Sequence, residues 1–273
     1  RIIDTPLNEL GIVGAAIGAS LNGLRPVAEI QFADYIHTAM DQIANEAGKM
    51  RYRSGGEFWC PLVVRAPYGG GIHGGVYHSQ SVEAIYAHIP GLKVVTPSTP
   101  ADTKGLLISA IRDDDPVIFF EHKAMYEETG DVPSESYTIP FGKAEIKRQG
   151  TNATIVALGR MVGFAEQAAD QLAHDGISCT IVDPRTISPL DEKTILECVS
   201  ATGRLVVADE GHPRCGMASD IASIVAEKAF ADLKAPVRMV TAPHTPVPFA
   251  ANLEAQYLPT STDIEAAVRS IIG

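Results

Sequence analysis

Cysteine is scarce in this chain of 273 residues. Cys60, Cys179, Cys198 and Cys215 stand too far apart for a C-x-x-C pair and are too few for a disulfide framework, so all four are expected to be buried free thiols. Positive charge is in deficit as well. Lys and Arg total 22 against 33 Asp and Glu, a net charge of -11, which argues against a phosphate-neutralising nucleic-acid surface and suits solubility or a basic protein partner. No apolar run approaches the roughly 20 residues that cross a bilayer, and the opening carries no basic, apolar leader, so the expectation is a soluble, cytoplasmic chain with no membrane partner. The first residues, RIIDTP, contain no methionine, which gives the expectation of a fragment of something longer.

The signatures of several common enzymes are missing too. There is no Walker A lysine motif, no strand-anchored G-x-G-x-x-G, no G-x-S-x-G elbow and no H-E-x-x-H pair. Nucleotide-binding folds of the common kinds, serine hydrolases and zinc proteases lose their foothold.

What the chain has in quantity is alternation. Short runs rich in β-branched residues, PLVVRAP (61-67), LKVVTPS (92-98), PVIFFEH (116-122), ATIVALG (153-159), CTIVDP (179-184), RLVVADE (204-210) and VRMVTAP (237-243), are separated by longer stretches of helical period. Apolar residues at successive rather than alternate positions suit parallel strands covered on both faces, which makes the class α/β. The helical stretches include NELGIVGAAIGASLN, YIHTAMDQIANEAGKM and TPADTKGLLISAIRD, the last with Ser98 or Thr99 as N-cap and Pro100 at the first helical position. The polar segment after His122, with Gly130 and Pro133, reads as a linker, which divides the chain into domains at 1-122 and 142-273 around a connection at 123-141.

Two places draw attention as chemistry. YGGGIHGGVYHSQS (68-81) holds five glycines and two histidines directly after a strand-like run, at the edge where open α/β sheets bind ligands. Its glycines would let backbone run close to a bulky group, and His78 could give or take a proton near neutral pH. The alternative is a surface loop with incidental histidines. In the first helix Gly11, Gly14 and Gly18 share one face, which is either an interface or a site of tight internal packing. Glu9 stands beside that face, where a glutamate ordinarily serves the helix N-terminus.

Read in order, DTPLNELGIVGAAIGASLNGLRPVAEIQFADY, YHSQSVEAIYAHIPGLKVVTPSTPADTKGLLISAIRDDDPVIFFEHK, VDPRTISPLD and HTPVPF resemble the beta subunits of the thiamine-diphosphate-dependent component of 2-oxoacid dehydrogenase complexes, a group with pyruvate, branched-chain and acetoin members. The resemblance runs through nearly the whole chain and leaves out the family's amino-terminal few dozen residues. It implies an amino-terminally truncated transketolase-type pyrimidine-binding domain followed by a transketolase carboxy-terminal α/β domain.

That resemblance also implies roles. Glu9 matches the catalytic glutamate that hydrogen-bonds the aminopyrimidine of thiamine diphosphate, and Tyr35 the aromatic residue stacked on that ring. Gln31, four residues before Tyr35, would share its face if the stretch is helical. His78 matches the histidine facing the 2-oxoacid and the incoming lipoyl group, and the loop glycines would let the backbone lie over cofactor and substrate. His73 has no clear counterpart. The matching positions for a structural potassium ion, bound by main-chain carbonyls, are Leu62, Ala110, Asp113 and Asp115. In the family two alpha and two beta subunits assemble, and the alpha subunit's G-D-G motif holds magnesium and the diphosphate. No G-D-G occurs here, so an alpha subunit is an implied partner, as is a lipoyl acyltransferase core.

Overall fold

Every one of the seven β-branched runs becomes a strand. In the computed structural model, which describes residues 1–272, the chain forms β1 (Val27–Glu29), β2 (Val63–Tyr68), β3 (Lys93–Val95), β4 (Val117–His122), β5 (Glu145–Arg148), β6 (Ala153–Ala157), β7 (Cys179–Asp183), β8 (Thr186–Ser188), β9 (Leu205–Ala208) and β10 (Arg238–Val240). They build two five-stranded sheets, ordered β1-β2-β4-β3-β8 and β10-β9-β6-β7-β5. Pairing is parallel except where β8 meets β3 and β5 meets β7. β4, β6, β7 and β9 are buried at every position, as unbroken apolar runs require.

The two halves are not independent layers. β8 comes from the second half of the chain yet closes the first sheet, pairing Ser188 with Val94. One apolar cluster runs from Val64 and Phe120 of the first sheet to Val156, Val182 and Val207 of the second. The clefts between the halves are therefore held by core packing, which gives loops at the strand ends a fixed platform.

The helices are α1 (Glu9–Leu21), α2 (Met50–Arg53), α3 (Glu83–Ala87), α4 (Pro100–Arg112), α5 (Met161–His174), α6 (Glu192–Thr202), α7 (Met217–Lys228), α8 (Ala251–Tyr257) and α9 (Ser261–Ile272). At α4 the side chain of Thr99 accepts from the backbone of Asp102, with Pro100 in the first turn. α5 and α9 cover one face of the second sheet, their Ala165, Leu172, Ile264 and Val268 packed on Ile155, Ile181 and Val206. No helix among the described residues is long and apolar enough to cross a membrane.

Three expectations need correction. The stretch from Tyr35 to Met50 is not one α-helix: a 3-10 helix runs over Ala33–Ala39 and a π-helix over Gln42–Ala47. Asp34, Tyr35 and Thr38 are each bonded to groups outside that segment, and fixing them there overrides the α pitch, a departure that recurs at functional sites. The segment 123-141 is more than a passive connection, because Ser109 donates to the Ile139 carbonyl at 2.6 Å and the Tyr137 hydroxyl to the Ala101 carbonyl at 2.6 Å, strapping it across α4. Finally, Cys60, Cys179 and Cys198 are buried but Cys215 is exposed, standing at the turn before α7 with φ 53°.

Candidate active site

The site grows from the start of α1. Asn8 is the N-cap, its side-chain oxygen accepting from the Gly11 amide at 3.0 Å, which leaves the Glu9 carboxylate without a capping duty. Instead Glu9 Oε2 lies 3.4 Å from Thr38 Oγ1, whose single hydrogen can go to it or to the Tyr35 carbonyl at 2.9 Å. On a 3-10 helix residues three apart lie on the same side, so Tyr35 and Thr38 present together.

His78 completes the group. Its Nε2 lies 2.8 Å from the Tyr35 hydroxyl and its Nδ1 3.3 Å from the Gly74 carbonyl. A carbonyl can only accept, so Nδ1 carries the hydrogen, and in the neutral ring Nε2 accepts from Tyr35. Phe32 stands edge-on to both rings, with centroids 6.0 Å from Tyr35 and 4.7 Å from His78. Glu9, Tyr35 and His78, distant in sequence, are thus brought to one place.

The expectation that Gln31 shares a face with Tyr35 holds only if the stretch is helical, and that condition is not met. It precedes the 3-10 helix, with Phe32 as the extended N-cap residue between, so the shared helical face with Tyr35 is not formed.

Several residues the sequence reading missed support the site. Asp34 is buried, and its Oδ1 accepts from the Gln80 amide at 3.2 Å and the Gln80 side chain at 2.9 Å, pinning the loop just beyond His78. Its Oδ2 is buried with no partner among the described residues. Lys123 lies behind Phe32, Nζ 5.4 Å from the ring centroid, and donates to the Pro67 carbonyl at 3.2 Å. Burial lowers this ammonium to about 8, against the pull of Asp34 and Glu210. No local motif announces these roles, since each depends on what another segment brings near.

The close approaches at the loop glycines come from side chains of this chain itself. Gly69 has φ +88°, and a Cβ there would lie 2.1 Å from His122 Nε2, so no other residue fits. His122 Nε2 in turn lies 2.9 Å from Glu210 Oε2, both groups buried. Burial alone would raise the Glu210 carboxyl, but the His122 charge and its hydrogen bond win and hold it at about 2.

The pyrimidine end of thiamine diphosphate fits what is present. A partly exposed carboxylate carries one weak bond from this chain, beside an aromatic cluster open at its edge. Among the described residues no group of three or more His, Cys, Asp or Glu could hold a metal ion. At the corner after α4, Leu62, Ala110 and Asp113 offer carbonyls that already accept from Val117 at 2.9 Å, Asp113 at 3.3 Å and Arg25 at 2.7 Å. The carboxylates of Asp113 and Asp115 there pair with Lys93 and Arg51, each at 2.6 Å.

Comparison with known proteins agrees with this geometry. Residues 1–129 match the family described as "Transketolase, pyrimidine binding domain" and residues 142–264 match "Transketolase, C-terminal domain". The chain is 54% identical to the acetoin:2,6-dichlorophenolindophenol oxidoreductase subunit beta of Cupriavidus necator, over 98% of this chain and 80% of the relative. It is 49% identical to the 2-oxoisovalerate dehydrogenase subunit beta of Bacillus subtilis, over 99% and 84%. With the pyruvate dehydrogenase E1 component subunit beta of the same organism it shares 46% identity, over 100% and 84%. Among solved structures, "Split gene transketolase, inactive beta4 tetramer" superposes with a TM-score of 0.80 at 26% identity, covering 97% of this chain and 81% of that one.

Proposed function

The chain belongs to the transketolase-type beta subunits of the thiamine-diphosphate-dependent 2-oxoacid and acetoin dehydrogenases, and we propose that it is the beta half of an enzyme that oxidatively decarboxylates a branched-chain 2-oxoacid or pyruvate. The observation that carries this reading is the convergence of Glu9, Tyr35 and His78 through Thr38 and the Tyr35–His78 bond. In that reaction carbon dioxide leaves, the acyl carbon is oxidised as it joins one sulfur of a lipoyl disulfide, and the other sulfur departs as a thiol.

Thiamine diphosphate, when bound, supplies the carbanion chemistry. The residues of this chain bind, orient and move protons. The Glu9 carboxylate would hold and exchange a proton with a bound aminopyrimidine ring, and Tyr35 with Phe32 would give that ring an apolar shelf. His78, with Nδ1 donating to Gly74, would stabilise a substrate carboxylate or oxyanion through Nε2 once that nitrogen carries a proton. Asp34 holds the far side of the loop in place through Gln80.

The diphosphate and its magnesium are assigned to an alpha subunit in a two-alpha, two-beta assembly, and the acyl acceptor to a lipoyl acyltransferase core. A potassium ion at Leu62, Ala110, Asp113 and Asp115 would use the second lone pairs of carbonyls already engaged, so Arg25 would share its site. The domains are taken as 1-122 and 142-273, joined by 123-141.

The 54% identity to an acetoin:2,6-dichlorophenolindophenol oxidoreductase subunit favours a second reading, in which the same site cleaves acetoin. Turnover of the chain assembled with its alpha subunit, measured with an indophenol dye on pyruvate, 3-methyl-2-oxobutanoate and acetoin, separates the two. Preference for either 2-oxoacid supports the first reading, preference for acetoin the second, and no turnover on any of them contradicts both.

A further inference from the structure

His73 is left over by the mechanism above, and its surroundings give it work. Its backbone has φ 58°, a left-handed conformation uncommon in non-glycine residues though less so for histidine. Its Nδ1 lies 2.5 Å from Glu254 Oε2, and its amide donates to the same oxygen at 3.2 Å. The other oxygen of Glu254 accepts from the Gly71 amide at 2.9 Å. One residue earlier, the Gly70 amide donates to Glu210 Oε1 at 2.6 Å.

Two carboxylates from the second half of the chain, one on α8 and one after β9, thus receive three amides of the glycine loop. Glu254 is 1% exposed and Glu210 6% exposed. Carboxylate oxygens so deeply placed need hydrogen-bond partners, and for Glu254 the loop supplies them. At Gly71 the backbone φ of +83° favours glycine, and a Cβ there would also displace the end of Arg160, Nη1 at 2.6 Å.

The held segment leads directly to the reacting side chain. Gly74 follows His73, and its carbonyl is the partner of His78 Nδ1 at 3.3 Å. The Gly69 amide donates to the Gln80 carbonyl at 3.1 Å, closing 69-80 into a ring. A shift of residues 70 to 73 therefore moves the atom on which the imidazole hangs.

Resting on the reading that His78 serves the reaction, we propose that Glu254 and Glu210 are positioning residues for the loop that carries it, and that His73 is the side chain through which Glu254 grips that loop. The carboxy-terminal domain sets the geometry of a site whose reacting groups all lie in the amino-terminal domain.

The test is hydrogen exchange across residues 69-80 in the assembled enzyme, alongside turnover, for Glu254→Gln, Glu254→Asp and the milder His73→Ala. In Glu254→Gln the amides of Gly71 and His73 should exchange about tenfold faster, and kcat should fall about tenfold with KM for the dye acceptor unchanged, the scale of one lost charge-assisted hydrogen bond. His73→Ala, altering a half-exposed side chain, should show both effects at roughly a third of that size, and Glu254→Asp should recover part of each. Exchange unchanged in both Glu254→Gln and His73→Ala would overturn the contact, and faster exchange with undiminished kcat would overturn the positioning role. If the wild-type assembly turns over none of the substrates, the reading of His78 fails, while the exchange comparison still decides whether Glu254 holds the loop.

Discussion

Glu9 sits where a glutamate ordinarily serves a helix dipole, yet Asn8 already caps α1 and Glu9 faces Thr38 across the site. Glu9→Gln should therefore leave the melting temperature within a few degrees and lower turnover by roughly 10²-fold or more, the range for losing a general acid or base. Thermal melts and dye-linked turnover of the assembled enzyme check both halves. His78→Ala should act later, with cofactor affinity within a few-fold of wild type and acyl transfer to a lipoyl acceptor down roughly 10²-fold. Rapid mixing with a lipoyl domain measures it, and undiminished transfer would mean that His78 only packs. Glu9, Tyr35 and His78 were legible in the sequence because each stands in a stretch that resembles its family. Phe32, Thr38, Asp34 and Lys123 were not, because their roles come from contacts with segments 29 or more residues away along the chain. For Gln31 the condition of a shared helix with Tyr35 is not met, because Phe32, between them, is extended.

At the scale of elements, strands with unbroken apolar runs could be read directly, since burial on both faces leaves no alternation to misinterpret. β1, β5 and β8 could not, each lying outside those runs and defined by a partner strand elsewhere in the chain. The glycine face of α1 now divides: a Cβ at Gly14 would meet only Gln42, at 3.9 Å, and one at Gly18 would meet nothing within 4 Å. Internal packing does not account for Gly18, which is exposed, as are Gly11 and Ala15. Gly18→Ala should stabilise the isolated chain by about 0.5–1 kcal/mol, the helix-propensity gain. Gly18→Leu should spare the isolated fold but weaken assembly, because a second chain packed on this face has no room for the side chain. Melts of the isolated chain and sedimentation of the mixture with alpha subunit give the two readings, and undisturbed assembly of Gly18→Leu would place the interface elsewhere.

For the whole molecule, buried acids set the response to pH. Burial raises Asp183 to about 7 and Asp209 to about 6, and pushes Glu83 well above its ordinary value. The folded chain keeps protons that the unfolded chain has released above about pH 4, so stability declines as pH rises through 6 and 7. Glu210, held at about 2, contributes stability that is present above about 4.5 and lost only as pH falls toward 2, outside that window. The isolated chain should therefore melt roughly 5 °C higher at pH 6 than at pH 8, and Asp183→Asn should remove much of the difference. Scanning calorimetry at both values checks this, and a higher melting temperature at pH 8 would reverse the sign. The class, the two-sheet plan and the family were thus open to a reader of the sequence, whereas the coupling of the halves through β8, Glu210 and Glu254 appears only in three dimensions. The central claim is that this chain carries the pyrimidine side of a cofactor site whose diphosphate side belongs to another subunit. Titration calorimetry of thiamine diphosphate with magnesium into the chain alone, into the alpha subunit alone and into their mixture tests it most directly. Tight, stoichiometric binding is expected for the mixture, at least roughly 10²-fold stronger than for this chain alone, because the charged end supplies much of the attraction. Equally tight binding by the isolated chain would contradict the account.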